Sequence, residues 1–231
     1  KAGSPAVIRE SVVYTNAVTP DLDWEDGNDG VGVGLPTTGA YEVKVGSTSG
    51  GLDMLAVTAT DDSELDHAGL APMTNGNAYH VSVRVQDQLA NWSHTADPWY
   101  VGSFVFDNEG PTPPGTPTTG VLHGATYYTD DLTPQIDWAA STDALSGMPT
   151  TGAYEIKIGS TQDASDVLLA TLVDSNTYTP GGDLVLTDGN TYYISVRAFD
   201  ALGNLSHAAD PWVRGEFVYD SGAPQFANAV P

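Results

Sequence analysis

Pro36-Thr37-Thr38-Gly39-Ala40-Tyr41-Glu42 returns as Pro149-Thr150-Thr151-Gly152-Ala153-Tyr154-Glu155, an offset of 113 residues (149 − 36). Seven matching residues in a row mark an internal repeat, and a repeat decides the architecture before any local reading begins. Working outward, the same offset joins Tyr79 to Tyr192, Asp87 to Asp200 and Asn91 to Asn204. It also joins Ser93-His94 to Ser206-His207 and Asp97-Pro98-Trp99 to Asp210-Pro211-Trp212. Upstream, Trp24 and Trp138 stand 114 apart, so one residue was gained or lost in a loop between. The match covers nearly all of the 231 residues. The reading is two tandem domains, 1–108 and 118–231, joined by a linker at 109–117. Pro111, Pro113 and Pro114 make that linker extended and semi-rigid. Asp220-Ser221-Gly222-Ala223-Pro224 resembles the linker's start, and Gly3-Ser4-Pro5 reads as the tail of another. The array is therefore expected to continue beyond this pair.

Within each copy the periodicity is that of strands. Leu22-Asp23-Trp24 and Ile136-Asp137-Trp138 alternate apolar and polar, as half-buried strands do. Tyr41-Glu42-Val43-Lys44-Val45 and Tyr154-Glu155-Ile156-Lys157-Ile158 follow the same rule. So do the longer runs 79–85 and 192–198. Gly46, Gly76, Gly159 and Gly189 punctuate them. No long segment carries the helical period. Short strands with turn signals in a unit of this length predict an all-β chain of two sandwiches.

Thirty acidic residues against seven basic ones give a net charge of -23. Nucleic acid and anionic membrane surfaces need a basic footprint, so both are excluded as partners. No apolar run reaches the ~20 residues of a membrane span, so no membrane insertion is expected. There is no cysteine, which removes disulfides, thiolate catalysis and Cys-ligated metals. Only seven of the acids are Glu; the rest are Asp, a turn and loop residue. Loop carboxylates suit hard cations such as calcium, although solvated turns account for them equally.

Three features resemble bacterial fibronectin type III domains, within the wider group of immunoglobulin-like repeats. Trp24 and Trp138 match the core tryptophan of the second strand. Met73-Thr74-Asn75-Gly76-Asn77-Ala78-Tyr79, like 186–192, is similar to the corner before the sixth strand. Ser141-Thr142-Asp143, ahead of Tyr154-Glu155, resembles a loop common in such modules. Copy one departs there, reading Glu25-Asp26-Gly27-Asn28-Asp29-Gly30. The resemblance implies two tandem immunoglobulin-like (fibronectin type III-like) sandwiches in an extracellular or cell-surface protein. In related arrays calcium at domain junctions stiffens the rod.

Candidate sites follow from the chemistry of the loops. Asp107, Asn108 and Glu109 sit at the expected junction, where Asp87 or a neighbour's loops would complete an oxygen shell for Ca2+. Asp26, Asn28 and Asp29 form a second cluster, lacking the helix-loop-helix calcium pattern because Gly30 takes the fifth position. Turn formation by Asp and Asn is the competing account of both. Trp24, Trp138, Tyr79 and Tyr192 read as core and corner residues. Trp99 and Trp212 recur at one register and read as packing. Trp92 stands where the other copy has Leu205, which makes it the candidate ligand contact if exposed, with an apolar plug under the loop as the favoured competing account. No zinc-protease, hydrolase-elbow or phosphate-loop motif is present, so the chain is read as not an enzyme. Asn91-Trp92-Ser93 and Asn204-Leu205-Ser206 fit the glycosylation sequon. The expected function is a structural or adhesion segment, a spacer or stalk stiffened by calcium, whose partners are neighbouring domains of the same chain. The alternative is an accessory module of an extracellular enzyme, with an extracellular carbohydrate or protein as partner.

Overall fold

The computed structural model describes residues 6–66, 70–96, 99–206 and 212–224. His207, Asp97-Pro98 and Asp210-Pro211 of the repeat lie outside the described residues. Two compact units divide between Glu109 and Gly110. Every regular element among the described residues is a strand. No helix is long and apolar enough to cross a membrane.

Unit 1 contains β1 (Ala6–Arg9), β2 (Val12–Thr15), β3 (Asp21–Asp23), β4 (Tyr41–Gly46), β5 (Leu55–Thr60), β6 (Glu64–Asp66), β7 (Ala78–Val85) and β8 (Tyr100–Phe106). Its larger sheet has the order β1-β2-β8-β7-β4-β5, and β3 pairs with β6 in a second layer. Unit 2 contains β9 (Thr118–Thr119), β10 (Val121–His123), β11 (Thr126–Thr129), β12 (Ile136–Asp137), β13 (Tyr154–Gly159), β14 (Leu168–Val173), β15 (Thr177–Tyr178), β16 (Thr191–Ala198) and β17 (Val213–Tyr219). Its larger sheet, β10-β11-β17-β16-β13-β14, repeats the order of unit 1, while the smaller gains a third strand: β15-β12-β9. Each unit is a fibronectin type III-like sandwich.

Alternation along the strands builds the two cores. Tyr41, Val43 and Val45 of β4 face inward with Tyr79 and Val83 of β7 and with Phe104 and Phe106 of β8. In unit 2 the inward set is larger and drier: Ile136, Ile156, Ile158, Ile194, Val196, Ala198 and Phe217 are all fully buried. The tryptophans of the smaller sheets differ. Trp138 is 4% exposed, whereas Trp24 is only half-buried at the edge of its core. Each meets a tyrosine edge-on, Trp24 with Tyr41 at 5.8 Å and Trp138 with Tyr154 at 5.5 Å. Both corners close as the sequence suggests. The Tyr79 hydroxyl accepts from the Thr74 backbone N–H, and the Tyr192 hydroxyl from that of Thr187, each at 2.7 Å.

The proline-rich segment is an integral part of unit 2. The Thr112 N–H donates to the Thr142 carbonyl and the Gly115 N–H to the Ala139 carbonyl. Pro114, Pro117 and Thr119 are buried. Thr119 then pairs with Ile136 as the edge of the three-stranded sheet.

Candidate functional site

The turn after β7 and its copy after β16 carry the same set of hydrogen bonds. The Asp87 carboxylate accepts from the N–H groups of Leu89 and Asn91, and from the Asn91 side-chain amide at 2.7 Å. Asp200 does the same with Leu202, Asn204 and the Asn204 amide at 2.6 Å. This is an Asp-centred turn in which one side chain satisfies three donors. The left-handed residue is Gly203 in unit 2 but Ala90, at φ 64°, in unit 1.

Strand register separates two of the expected ligands within unit 1. β7 and β8 run antiparallel with Ala78 opposite Val105. Asp87 follows the C-terminal end of β7, while Asp107 follows that of β8. They stand at opposite poles, roughly 25 Å apart over eight residues of strand. Asp107 is buried, its N–H donating to the Thr15 carbonyl. Asn108 is exposed, and its N–H donates to the Asn75 side chain. Glu109 is exposed beside it.

The second cluster is divided among separate partners. Asp26 accepts the Ser63 hydroxyl, Asn28 accepts the Gly30 N–H, and Asp29 accepts the Gly34 N–H at 2.9 Å. Each carboxylate or amide shapes a different stretch of backbone.

In unit 2 two loops bring a pair of carboxylates together. Asp143 and Asp200 bring carboxylate oxygens within 4.8 Å of each other. Asp143 is fixed by the N–H groups of Leu145 and Gly147. The Ala201 N–H donates to the Gly147 carbonyl and locks the two loops together. Two acids this close, one of them 2% exposed, concentrate negative charge at one spot. Hard oxygen donors of this kind fit calcium. The signal was available in the repeat itself: Asp200 is the partner of Asp87, and Asp143 sits in the loop where copy one diverges.

A second arrangement was not anticipated from the residue types. Arg84 lies between two indoles on the outer face of the larger sheet, 4.2 Å from the Trp92 ring and 4.3 Å from Trp99. Lys44 also lies over the Trp99 ring, at 4.4 Å. Glu42 holds the guanidinium at 2.6 Å. Unit 2 repeats the stack with Lys157, Trp212, Arg197 and Phe199, anchored by Glu155. Each cation–aromatic contact contributes on the order of 0.5–2 kcal/mol. Trp92 is thus half-buried and engaged on one face.

Three exposed aspartates are held below the ordinary value of 3.8. The Asn91 side-chain amide, then its N–H, depresses Asp87; the Ser47 hydroxyl and N–H depress Asp53; those of Ser160 depress Asp166. A carboxyl whose folded pKa is lowered stabilises the fold above its unfolded pKa, about 3.9, and loses that contribution as pH falls through the folded value. The urea midpoint is therefore expected to hold between pH 7 and 5 on account of these groups and to fall below about pH 4. Asp53→Asn and Asp166→Asn should each flatten that acid limb; an unchanged limb in both would mean the hydrogen bonds carry no stability.

No family model matches the chain. Chitinase A1 of Niallia circulans is 29% identical over 206 residues, which are 89% of this chain and 24% of that protein. The chain therefore spans about a quarter of that relative's length. Among solved structures, the FN1-FN3 domains of chicken CNTN1 align with 95% of this chain and 67% of theirs, at 14% identity and a TM-score of 0.43.

Proposed function

We propose that this tandem pair of fibronectin type III-like sandwiches is a non-catalytic spacer segment of a secreted or cell-surface multidomain protein, stabilised by calcium. The observation that supports this most is where the repeated residues go. The corner tyrosines, the Asp-centred turns, the Glu–Arg pairs and the indoles they stack on are all engaged in holding the sandwiches together. A chain whose recurring side chains serve its own stability is suited to holding distance rather than to chemistry. The similarity to a chitinase over a quarter of that protein's length is consistent with a segment that accompanies an enzyme outside the cell.

Calcium would be held on unit 2 by Asp143 and Asp200, with loop carbonyls completing the six to eight oxygens it takes. Melting the chain in millimolar calcium and again in excess chelator tests this. An ion at a hundred times its Kd adds about 2.7 kcal/mol to the state that binds it. The transition of unit 2 is expected to rise with calcium, and Asp200→Asn to abolish the rise. Equal melting in both conditions would remove calcium from the reading and leave the spacer without it.

A second reading, an accessory module that grips polysaccharide, draws on the same chitinase similarity and on Trp92. Retention of the chain on insoluble chitin, lost in Trp92→Ala with an unchanged melt, would favour it over the spacer.

A further inference from the structure

We propose that the smaller sheet of unit 1 responds to ionic strength: β3 and β6 close firmly only when small cations screen the carboxylates that the strands set face to face. The cause is the register. Leu22 lies opposite Leu65, and both turn inward onto the core. The residues on either side share the outer face, where Asp21 stands opposite Asp66 and Asp23 opposite Glu64. Directly opposed side chains have Cβ atoms roughly 4.5–5.5 Å apart, and like charges so placed oppose strand pairing. Neither strand contains a basic residue.

Unit 2 carries the same sheet without the opposed acids. Counted back from the two repeat tryptophans, Asp21 and Asp23 correspond to Gln135 and Asp137. At the offset of 113, Glu64 and Asp66 correspond to Thr177 and Thr179. Four carboxylates become one. Asp137 lies opposite Thr177 on one side and Thr118 on the other. The Gln135 amide donates to both of its oxygens at 3.0 Å. Where unit 2 places an amide two residues before this aspartate, unit 1 places another acid.

Overall charge does not separate the units. Residues 1–109 hold 16 acidic and four basic side chains, and residues 110–231 hold 14 and three, so the net charges are -12 and -11. Diffuse repulsion therefore acts on both alike, and only the placement of the acids differs. The Debye length falls from about 30 Å at 0.01 M salt to about 3 Å at 1 M, which is shorter than the reach of an opposed pair. Salt should thus strengthen β3–β6 more than β12–β15. Leu22 of β3 is 6% exposed, so loosening of this sheet at low salt uncovers the core of unit 1.

Two matched amides report on the sheets. The Trp24 N–H donates to the Ser63 carbonyl at 3.0 Å, and the Trp138 N–H to the Asn176 carbonyl at 3.1 Å. The test is hydrogen exchange of the whole isotope-labelled chain at about 10 mM and about 1 M sodium chloride. Chelator in both samples keeps calcium out of the comparison. Protection of the Trp24 amide is expected to rise about fivefold or more relative to that of Trp138. Tetramethylammonium chloride at equal ionic strength should act as sodium chloride does, because screening needs no ligation. Glu64→Thr with Asp66→Thr gives unit 1 the residues of unit 2, and should protect Trp24 at low salt and remove the response. Glu10→Gln with Glu109→Gln removes as much charge elsewhere and should leave the response in place. Equal responses at Trp24 and Trp138, or a response retained by the double-threonine chain, would overturn the proposal. So would a response confined to sodium, which marks a bound ion, or one lost in the double-glutamine chain, which marks net charge.

Discussion

Trp138→Ala is expected to destabilise unit 2 by about 3–5 kcal/mol, the range for deleting a large buried aromatic. Trp138 is 4% exposed, packs edge-on against Tyr154, and sits in a core whose neighbours Ile136 and Ile156 are fully buried. Nothing nearby can collapse into the space its ring would leave. Trp24→Ala should cost clearly less, although the two residues are repeat partners. Trp24 is half-buried at the edge of its core, so its removal deletes fewer packed contacts. Two-domain chains do not unfold in one step. Urea titration should therefore resolve two transitions, with Trp138→Ala moving one far and Trp24→Ala moving the other slightly. Equal displacements would mean that unit 1 is as closed in solution as unit 2.

The second large effect reads the same asymmetry through the backbone. Gly215→Ala places a methyl group 2.0 Å from the Pro117 carbonyl oxygen. Relief requires the stretch 117–119 to withdraw, which would strain the pairing of Thr119 with Ile136. Overpacking of this kind costs about 1–3 kcal/mol. Gly102→Ala, at the same repeat position in β8, would place its Cβ within 4 Å of nothing among the described residues, and changes that meet no neighbour stay within about 0.5 kcal/mol. Thermal melting of the two single variants decides the matter. A similar loss from both would show that Gly102 is as closely packed as Gly215.

Sequence alone reached the architecture because the features that carry it are local and repeated. The alternation of Tyr41 to Val45 and of Tyr79 to Val85 became β4 and β7, with their odd-numbered residues inward. The corner tyrosines bond as their spacing implied. Sites were less legible, since a loop carboxylate does not declare which backbone it will meet. Asp26, Asn28 and Asp29 look like one ligand set along the chain, yet they bond Ser63, Gly30 and Gly34 separately. The Asp143–Asp200 pair joins residues 57 apart (200 − 143), which no spacing rule connects. The Arg84 stack also escaped notice, because it depends on β4 and β7 being neighbours and on the indoles folding back over them.

The Asp-centred turns also constrain how the chain can be produced. Asn91 and Asn204 each commit their side-chain amide to a carboxylate, at 2.7 and 2.6 Å. Both asparagines begin sequons. A sugar attached to that amide nitrogen takes one of its two hydrogens and sets a bulky group beside the aspartate. In a host that glycosylates secreted chains, transfer during synthesis would compete with closure of the turn, and a finished turn would resist it. Material made in such a host should divide into an unglycosylated, fully folded fraction and a glycosylated one with opened turns, so a bacterial host is the better source of uniform protein.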